Sequence, residues 1–226
     1  MKQISVIIFD LDGVLVDATE WHYEALNRAL AHFGYTIPRY DHLTSYNGLP
    51  TQKKLEMLSV EKGLPRALHS FVWKLKQKYT TEEIFVKCAP SFSAEMLTKR
   101  LRRDGYRLAV CSNSTRRSVD LMLTRGGLLQ EFELYLSNED VKNPKPDPEI
   151  YFTAFHRLGI KPQQVVIVED AGPGIEAARR SGAHVCEVTA FEEVDYRRIS
   201  SFIQNLERTI NAENSDAAQR SRPSLR

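Results

Sequence analysis

The sequence predicts an α/β protein in which a parallel β-sheet, covered by helices on both faces, is interrupted by an all-helical insert. Three observations carry this. The runs Ile4 to Phe9 and Val165 to Val168 are apolar nearly throughout rather than alternating, as strands buried on both faces are. Segments with helical spacing separate such runs, the alternation that builds parallel sheets through right-handed crossovers. Residues 17–86 show helical periodicity and no strand pattern.

The elements follow in order. The first strand, 4–9, is broken by Asp10-Leu11-Asp12-Gly13. A helix over 19–33 has Trp21, Ala25, Leu26, Ala29, Leu30 and Phe33 at three- and four-residue intervals and stops at Gly34. Further helices are predicted over 51–62, ended by Gly63, and over 65–78. After Cys88-Ala89-Pro90 the rhythm changes: helix 93–103, strand 107–111, helix 116–125, a short strand 134–136 and helix 147–158. Strand 165–168 runs into Glu169-Asp170, helix 174–181 follows, and strand 184–188 is the last. Residues 209–226 are polar and predict a disordered tail. The expected division is therefore a core from 1–16 and 87–208, a helical insert at 17–86, and the tail.

The net charge of +2 gives no nucleic-acid footprint. No apolar stretch approaches the roughly 20 residues of a membrane span, and the first apolar run is cut by Asp10, so it does not read as a leader peptide. Cys88, Cys111 and Cys186 are odd in number and fit no zinc spacing, which predicts buried free thiols in a reducing compartment. The expectation is a cytoplasmic protein without nucleic-acid or membrane partners, a monomer with a dimer as the alternative.

Ligands of open parallel sheets bind outside the carboxyl ends of the strands. Three strands end there in polar groups: Asp10 and Asp12, Ser112 and Asn113, Glu169 and Asp170. Four converging carboxylates repel one another, and a hard divalent cation such as Mg²⁺, which takes oxygen ligands, resolves this. Ser112 offers a hydroxyl, and Lys145, in the proline-bracketed stretch Asn143 to Pro148, offers a compact positive charge. Cation, lysine and backbone N–H groups make a cradle for a phosphoryl group. Asp10 then suits the nucleophile and Asp12 the general acid and base.

At this point the chain resembles the haloacid dehalogenase superfamily. Phe9-Asp10-Leu11-Asp12-Gly13-Val14, Val110-Cys111-Ser112-Asn113, Lys145-Pro146-Asp147-Pro148-Glu149-Ile150-Tyr151 and Val168-Glu169-Asp170-Ala171-Gly172-Pro173-Gly174-Ile175-Glu176-Ala177-Ala178 look like its four motifs, in order. The resemblance implies a Rossmann-like core with an inserted helical cap, close to the β-phosphoglucomutase and phosphoglycolate phosphatase relatives. It implies a metal held by the Asp10 side chain, the Asp12 backbone carbonyl and Asp170, with Glu169 contributing directly or through water. Phosphate would meet Ser112, Asn113 and Lys145.

The cap residues stay open. His22 either contacts substrate or is structural. Gly48, Leu49 and Thr51 either read substrate or form a turn with Thr51 as a helix N-cap. Lys76 and Lys78 read as a solvated face. The expected function is a Mg²⁺-dependent phosphatase acting on a small phosphorylated metabolite, a sugar or polyol phosphate. The alternatives are a β-phosphoglucomutase-like sugar phosphomutase and a non-catalytic binding module. Related mutases carry an arginine in the loop where this chain has Thr51, with Lys53 and Lys54 nearby.

Overall fold

The computed structural model of the chain describes residues 3–220, and side chains as far as residue 214. Strands β1 (Val6–Phe9), β2 (Arg107–Cys111), β3 (Leu134–Leu136), β4 (Val165–Glu169) and β5 (His184–Glu187) form one parallel sheet in the order β3-β2-β1-β4-β5. The chain leaves β1 for β2 and β3 on one side, then returns to β4 and β5 on the other. Strand order therefore reverses beside β1, where such sheets open a crevice at their carboxyl ends. Phe9 pairs with both Val110 and Val168, so the next residues, Asp10, Cys111 and Glu169, stand side by side at that edge.

Between residues 17 and 88 the described residues form helices and no strand: α1 (Thr19–Ala31), the short α2 (Arg39–Asp41) continuing into a π-helical turn at His42–Tyr46, α3 (Thr51–Lys62) and α4 (His69–Lys87). Leu26, Leu30, Ile37, Tyr46, Leu55, Leu58 and Val72 close a hydrophobic cluster of their own among these helices. An independent core of this kind makes the insert a body that packs onto the sheet domain rather than a loop of it.

Helix α4 runs nine residues beyond the expected end at 78. Its inward stripe is Val72, Lys76, Thr80 and Ile84, spaced four apart. Two of the four are polar, and this hides the helical period from a hydrophobic reading. Lys76 is consequently not on a solvated face: it is buried.

The remaining helices, α5 (Phe92–Arg103), α6 (Arg116–Arg125), α7 (Glu149–Leu158), α8 (Gly172–Arg180) and α9 (Tyr196–Arg220), cover the sheet. Ile7, Phe9, Val110 and Val168 pack with Leu97, Met122, Ile199 and Ile203 on one face, while Val6, Ile8 and Ile167 pack with Ile150, Ala154 and Ala177 on the other. This double burial is why the strands read as apolar runs. The tail expected from residue 209 is corrected over 209–220, which continue α9. Ile199, Ile203 and Leu206 anchor the helix on the core, and the residues after them are mostly good helix formers that extend it. Residues 221–226 lie outside the described residues. Cys88, Cys111 and Cys186 are buried free thiols. Among the described residues, no helix is long and apolar enough to cross a membrane.

Candidate active site

Four strand ends and loops meet at the carboxyl edge of the sheet. Lys145, only 2% exposed, lies at their centre. Its Nζ donates to Asp10 Oδ1 at 2.7 Å, to the Cys111 carbonyl at 2.6 Å and to Glu169 Oε1 at 2.5 Å. Burial works against this ammonium, but Asp10 and Glu169 outweigh it and hold the group charged, well above the usual lysine range. The Tyr151 hydroxyl donates to the same Glu169 oxygen at 2.6 Å. Helix α8 approaches so closely that a Cβ on Gly174 would overlap the Glu169 carboxylate. Glu169 is thus clamped by Lys145, Tyr151 and the start of a helix.

Asp10 stays raised well above the usual carboxylate range, first because it is buried and second because Glu169 is near; Lys145 only partly offsets this. Asp170 is raised to about 7, again by burial first and Glu169 second. Its Oδ1 is buried without a hydrogen-bond partner. Carboxylate oxygens of Asp10, Glu169 and Asp170 lie within 4.8 Å of one another. An orphaned oxygen among carboxyls that cannot all ionise unaided is the donor set a hard cation fits. Gly13, at φ 85°, leaves the space beside Asp170 that any side chain would fill.

Asp12 faces a different environment. His22 Nε2 donates to its Oδ1 at 2.6 Å, and the hydroxyls of Ser112 and Ser114 donate to its Oδ2 at 3.1 and 2.8 Å. Burial alone would raise this carboxyl, but the His22 charge and these donors lower it to about 2. Lys76 Nζ reaches His22 Nδ1 at 3.1 Å. Burial and then Lys76 lower the imidazole below its ordinary value, while Asp12 works the other way. Two carboxyls two residues apart are therefore pushed in opposite directions.

The expected phosphate-binding residues are brought together, in unequal ways. Asn113 and Lys145 line the cleft. Ser112 is fully buried, its hydroxyl donating to Asp12 and accepting from the Ser114 N–H at 2.9 Å. The Asn113 side chain is a tie: Nδ2 donates to the Gly48 carbonyl at 2.8 Å and the Lys145 carbonyl at 3.1 Å, while Oδ1 accepts from the Lys145 N–H at 3.0 Å. Of the cap candidates, His22, Gly48, Leu49 and Thr51 all line the cleft. Thr51 is the first residue of α3 and not its cap, which is Pro50. Sequence reasoning puts Lys76 on a solvated face, offers Lys54 only as a stand-in for the mutase arginine, and gives Ser114 and Tyr151 no role of their own. For Tyr151 and Ser114 the only signal is their place in or beside the motifs; for Lys76 there is none, because charge on a helix ordinarily marks solvent.

The resulting cleft encloses about 340 Å³, the small end of metabolite pockets. Its floor is acidic and holds Lys145. Its roof, from the helical insert, carries His22, Lys54 and Lys76.

The match to known proteins agrees with this geometry. The family model described as haloacid dehalogenase-like hydrolase matches residues 7–188. The phosphorylated carbohydrates phosphatase of Thermotoga maritima is 29% identical over 182 residues, 79% of this chain and 82% of that protein. The plasmid-encoded phosphoglycolate phosphatase of Cupriavidus necator is 30% identical over 188 residues, 81% and 80% of the two chains. In fold, the β-phosphoglucomutase of Clostridium difficile superposes with a TM-score of 0.76 at 20% identity, over 90% of this chain and 98% of that one. The chain belongs to the haloacid dehalogenase-like hydrolase family, and within it is a phosphoric monoester hydrolase.

Proposed function

We propose that the protein is a Mg²⁺-dependent phosphatase of a small phosphorylated metabolite of the carbohydrate type, working through an aspartyl phosphate on Asp10. The observation that carries this is the opposite treatment of the two aspartates. Asp10 shares Lys145 with Glu169 beside the unpartnered Asp170 oxygen. Asp12 is held apart by His22, Ser112 and Ser114. Separated environments for paired carboxyls mark separate roles in acid–base chemistry.

Asp10, the Asp12 backbone carbonyl and Asp170 would hold the cation, with Glu169 neutralised by Lys145 behind them. The cation supplies charge neutralisation to the phosphoryl oxygens and to Asp10. A carboxylate oxygen of Asp10 attacks phosphorus, the ester P–O bond breaks, and Asp12 gives the leaving alkoxide its proton. Asp12 is ionised in the free protein, so its acid role requires the negative charge of the incoming phosphate to raise it. Asp12 then takes a proton from water, the water oxygen attacks phosphorus, and Asp10 and inorganic phosphate are released. Lys145 and the Ser112–Ser114 turn orient the phosphoryl group throughout. The insert closes over the cleft and excludes bulk water.

The test is phosphate release from a panel of phosphorylated metabolites and a generic aryl phosphate, with Mg²⁺ or with chelator, beside Asp10→Asn. Release that needs Mg²⁺ and falls by about four orders of magnitude in the variant is expected. No release from any compound overturns the reading. Conversion of one sugar phosphate into its isomer on addition of a bisphosphate, without net phosphate release, would put phosphomutase chemistry in its place.

A further inference from the structure

A lysine ammonium has three N–H donors and no acceptor. In Lys145 all three are taken, by Asp10 Oδ1 at 2.7 Å, the Cys111 carbonyl at 2.6 Å and Glu169 Oε1 at 2.5 Å. The side chain lines the cleft, yet it has no donor left for a phosphoryl oxygen. To meet the substrate it must let go of one acceptor. Two of the three are carboxylates in a buried site, where an anion that loses its partner is costly.

The two carboxylates differ in this respect. Asp10 Oδ1 accepts from Lys145 alone among the described residues. Glu169 Oε1 has a second donor in place, the Tyr151 hydroxyl at 2.6 Å. Glu169 cannot follow a moving lysine, because a Cβ on Gly174 of α8 would stand only 2.2 Å from its Oε2. Tyr151 is held as firmly. It is fully buried in the cluster under the sheet, with Ile8, Ala109, Ile150 and Ala154. Its ring centroid lies 5.2 Å from Lys145 Nζ, within reach of a cation–π attraction that acts on the ammonium whichever way its N–H groups point. The lysine loop is tied to α7, the helix that bears Tyr151, through the Glu149 carboxylate, which accepts from the Lys142 and Asn143 N–H groups at 2.9 and 3.0 Å.

Resting on the function proposed above, we infer that Tyr151 is a positioning residue that lets Lys145 exchange partners: as phosphate enters, one Lys145 N–H turns from Glu169 to a phosphoryl oxygen, and the Tyr151 hydroxyl keeps Glu169 bonded. Lys145 stays on Asp10 and Cys111, so the nucleophile keeps its alignment while the ammonium takes up phosphoryl charge. Without the hydroxyl, phosphate competes with a buried carboxylate for the same N–H. Tyr151 touches neither substrate nor cation and acts through Glu169.

The experiment uses Tyr151→Phe, which keeps the ring and removes only the hydroxyl. Inorganic phosphate, the product of the proposed reaction, is titrated into wild type and variant in Mg²⁺ by calorimetry, and aryl phosphate turnover is measured beside it. The phosphate Kd is expected to rise about tenfold to a hundredfold in the variant, with a similar fall in kcat/KM. The rise in Tm that Mg²⁺ alone produces is expected to match the wild type's, because Lys145 still holds Glu169 when no phosphate is present. An unchanged phosphate Kd overturns the exchange. So does joint loss of the phosphate and Mg²⁺ responses, or a variant that does not fold, since either makes the hydroxyl a prop of the whole site. The phosphatase reading fails separately: a wild type that binds phosphate but turns over no ester removes that reading and leaves the exchange to the Kd comparison, and a wild type that does not bind phosphate removes both.

Discussion

At the scale of single residues, the site holds its charges at the expense of stability. Lys54 shows the sign most clearly. Its folded value of about 7 lies below the ordinary lysine range. Between that value and the unfolded one, the unfolded chain binds more protons, so stability rises with pH across the window. The penalty is complete below the folded value and vanishes above the unfolded one. Lys54→Met, free of ligand, is therefore expected to melt higher than the wild type at about pH 6, by roughly 2–4 °C for each kcal/mol relieved, and the gain is expected to shrink toward about pH 10. Thermal melts of the two proteins across that range check it. A variant that melts lower at acid pH would show that the ammonium is satisfied by groups of the protein. Stabilisation by removing a site residue is the usual mark of a place built for function.

At the scale of elements, one loop of the insert is seated against the core at the edge of the cleft. Gly48 has φ 74°, and a Cβ there would stand 2.7 Å from the Cβ of Ala171. Its carbonyl is seated on Asn113 at 2.8 Å. Asn113 also holds both polar groups of the Lys145 backbone, so one side chain joins the motif after β2, the lysine loop and the insert. Gly34 is the control: its φ is 76°, and a Cβ there would meet nothing within 4 Å. Both Gly→Ala changes carry the left-handed penalty of about 1–2 kcal/mol. Only Gly48→Ala also wedges the insert from the core, and only it is expected to lower kcat/KM, by about tenfold to a hundredfold. Equal kinetics in the two variants would remove the loop from closure. The sequence showed the glycine and the turn but not this role, because the partner surface, Ala171 and Pro173, comes from more than 120 residues further along the chain. Helix α3, marked by Pro50 before it and Gly63 after it, and α6, with its buried Val119, Met122 and Leu123, were legible to the residue. Helix α4 was not, because its buried stripe gives two of four positions to Lys76 and Thr80.

At the scale of the whole molecule, the parallel sheet and the polar groups at its carboxyl edge were legible, because β1, β2 and β4 are apolar on both faces and each runs into polar residues; the strand order was not read from the sequence. The acidic floor followed from that edge, since parallel register puts Asp10 and Glu169 level. The basic roof was not legible, for it depends on how two helices of the insert turn toward the cleft. Helix α9 was missed for a related reason: its anchor is three apolar residues followed by a polar stretch that has helix propensity and little to bury. The same whole-molecule view gives a global test of the metal site. The carboxyls of Asp10 and Asp170 are both held above their usual range by burial and by Glu169. Their strain is part of the folded state alone, because the unfolded chain separates them. A cation bound between them adds to global stability by mass action, about 2.7 kcal/mol at a hundredfold excess over its dissociation constant. For a chain of this size that amounts to a rise of roughly 5–10 °C in Tm. Melts in Mg²⁺ against chelator are expected to show this rise, and Asp170→Asn is expected to lose most of it while melting no lower than the wild type in chelator. The second half of that expectation is the discriminating one. If Asp170 were a structural carboxylate, the amide would lower Tm under both conditions. A carboxylate kept for a cation instead leaves the metal-free fold no worse, and the orphaned Oδ1 predicts that outcome.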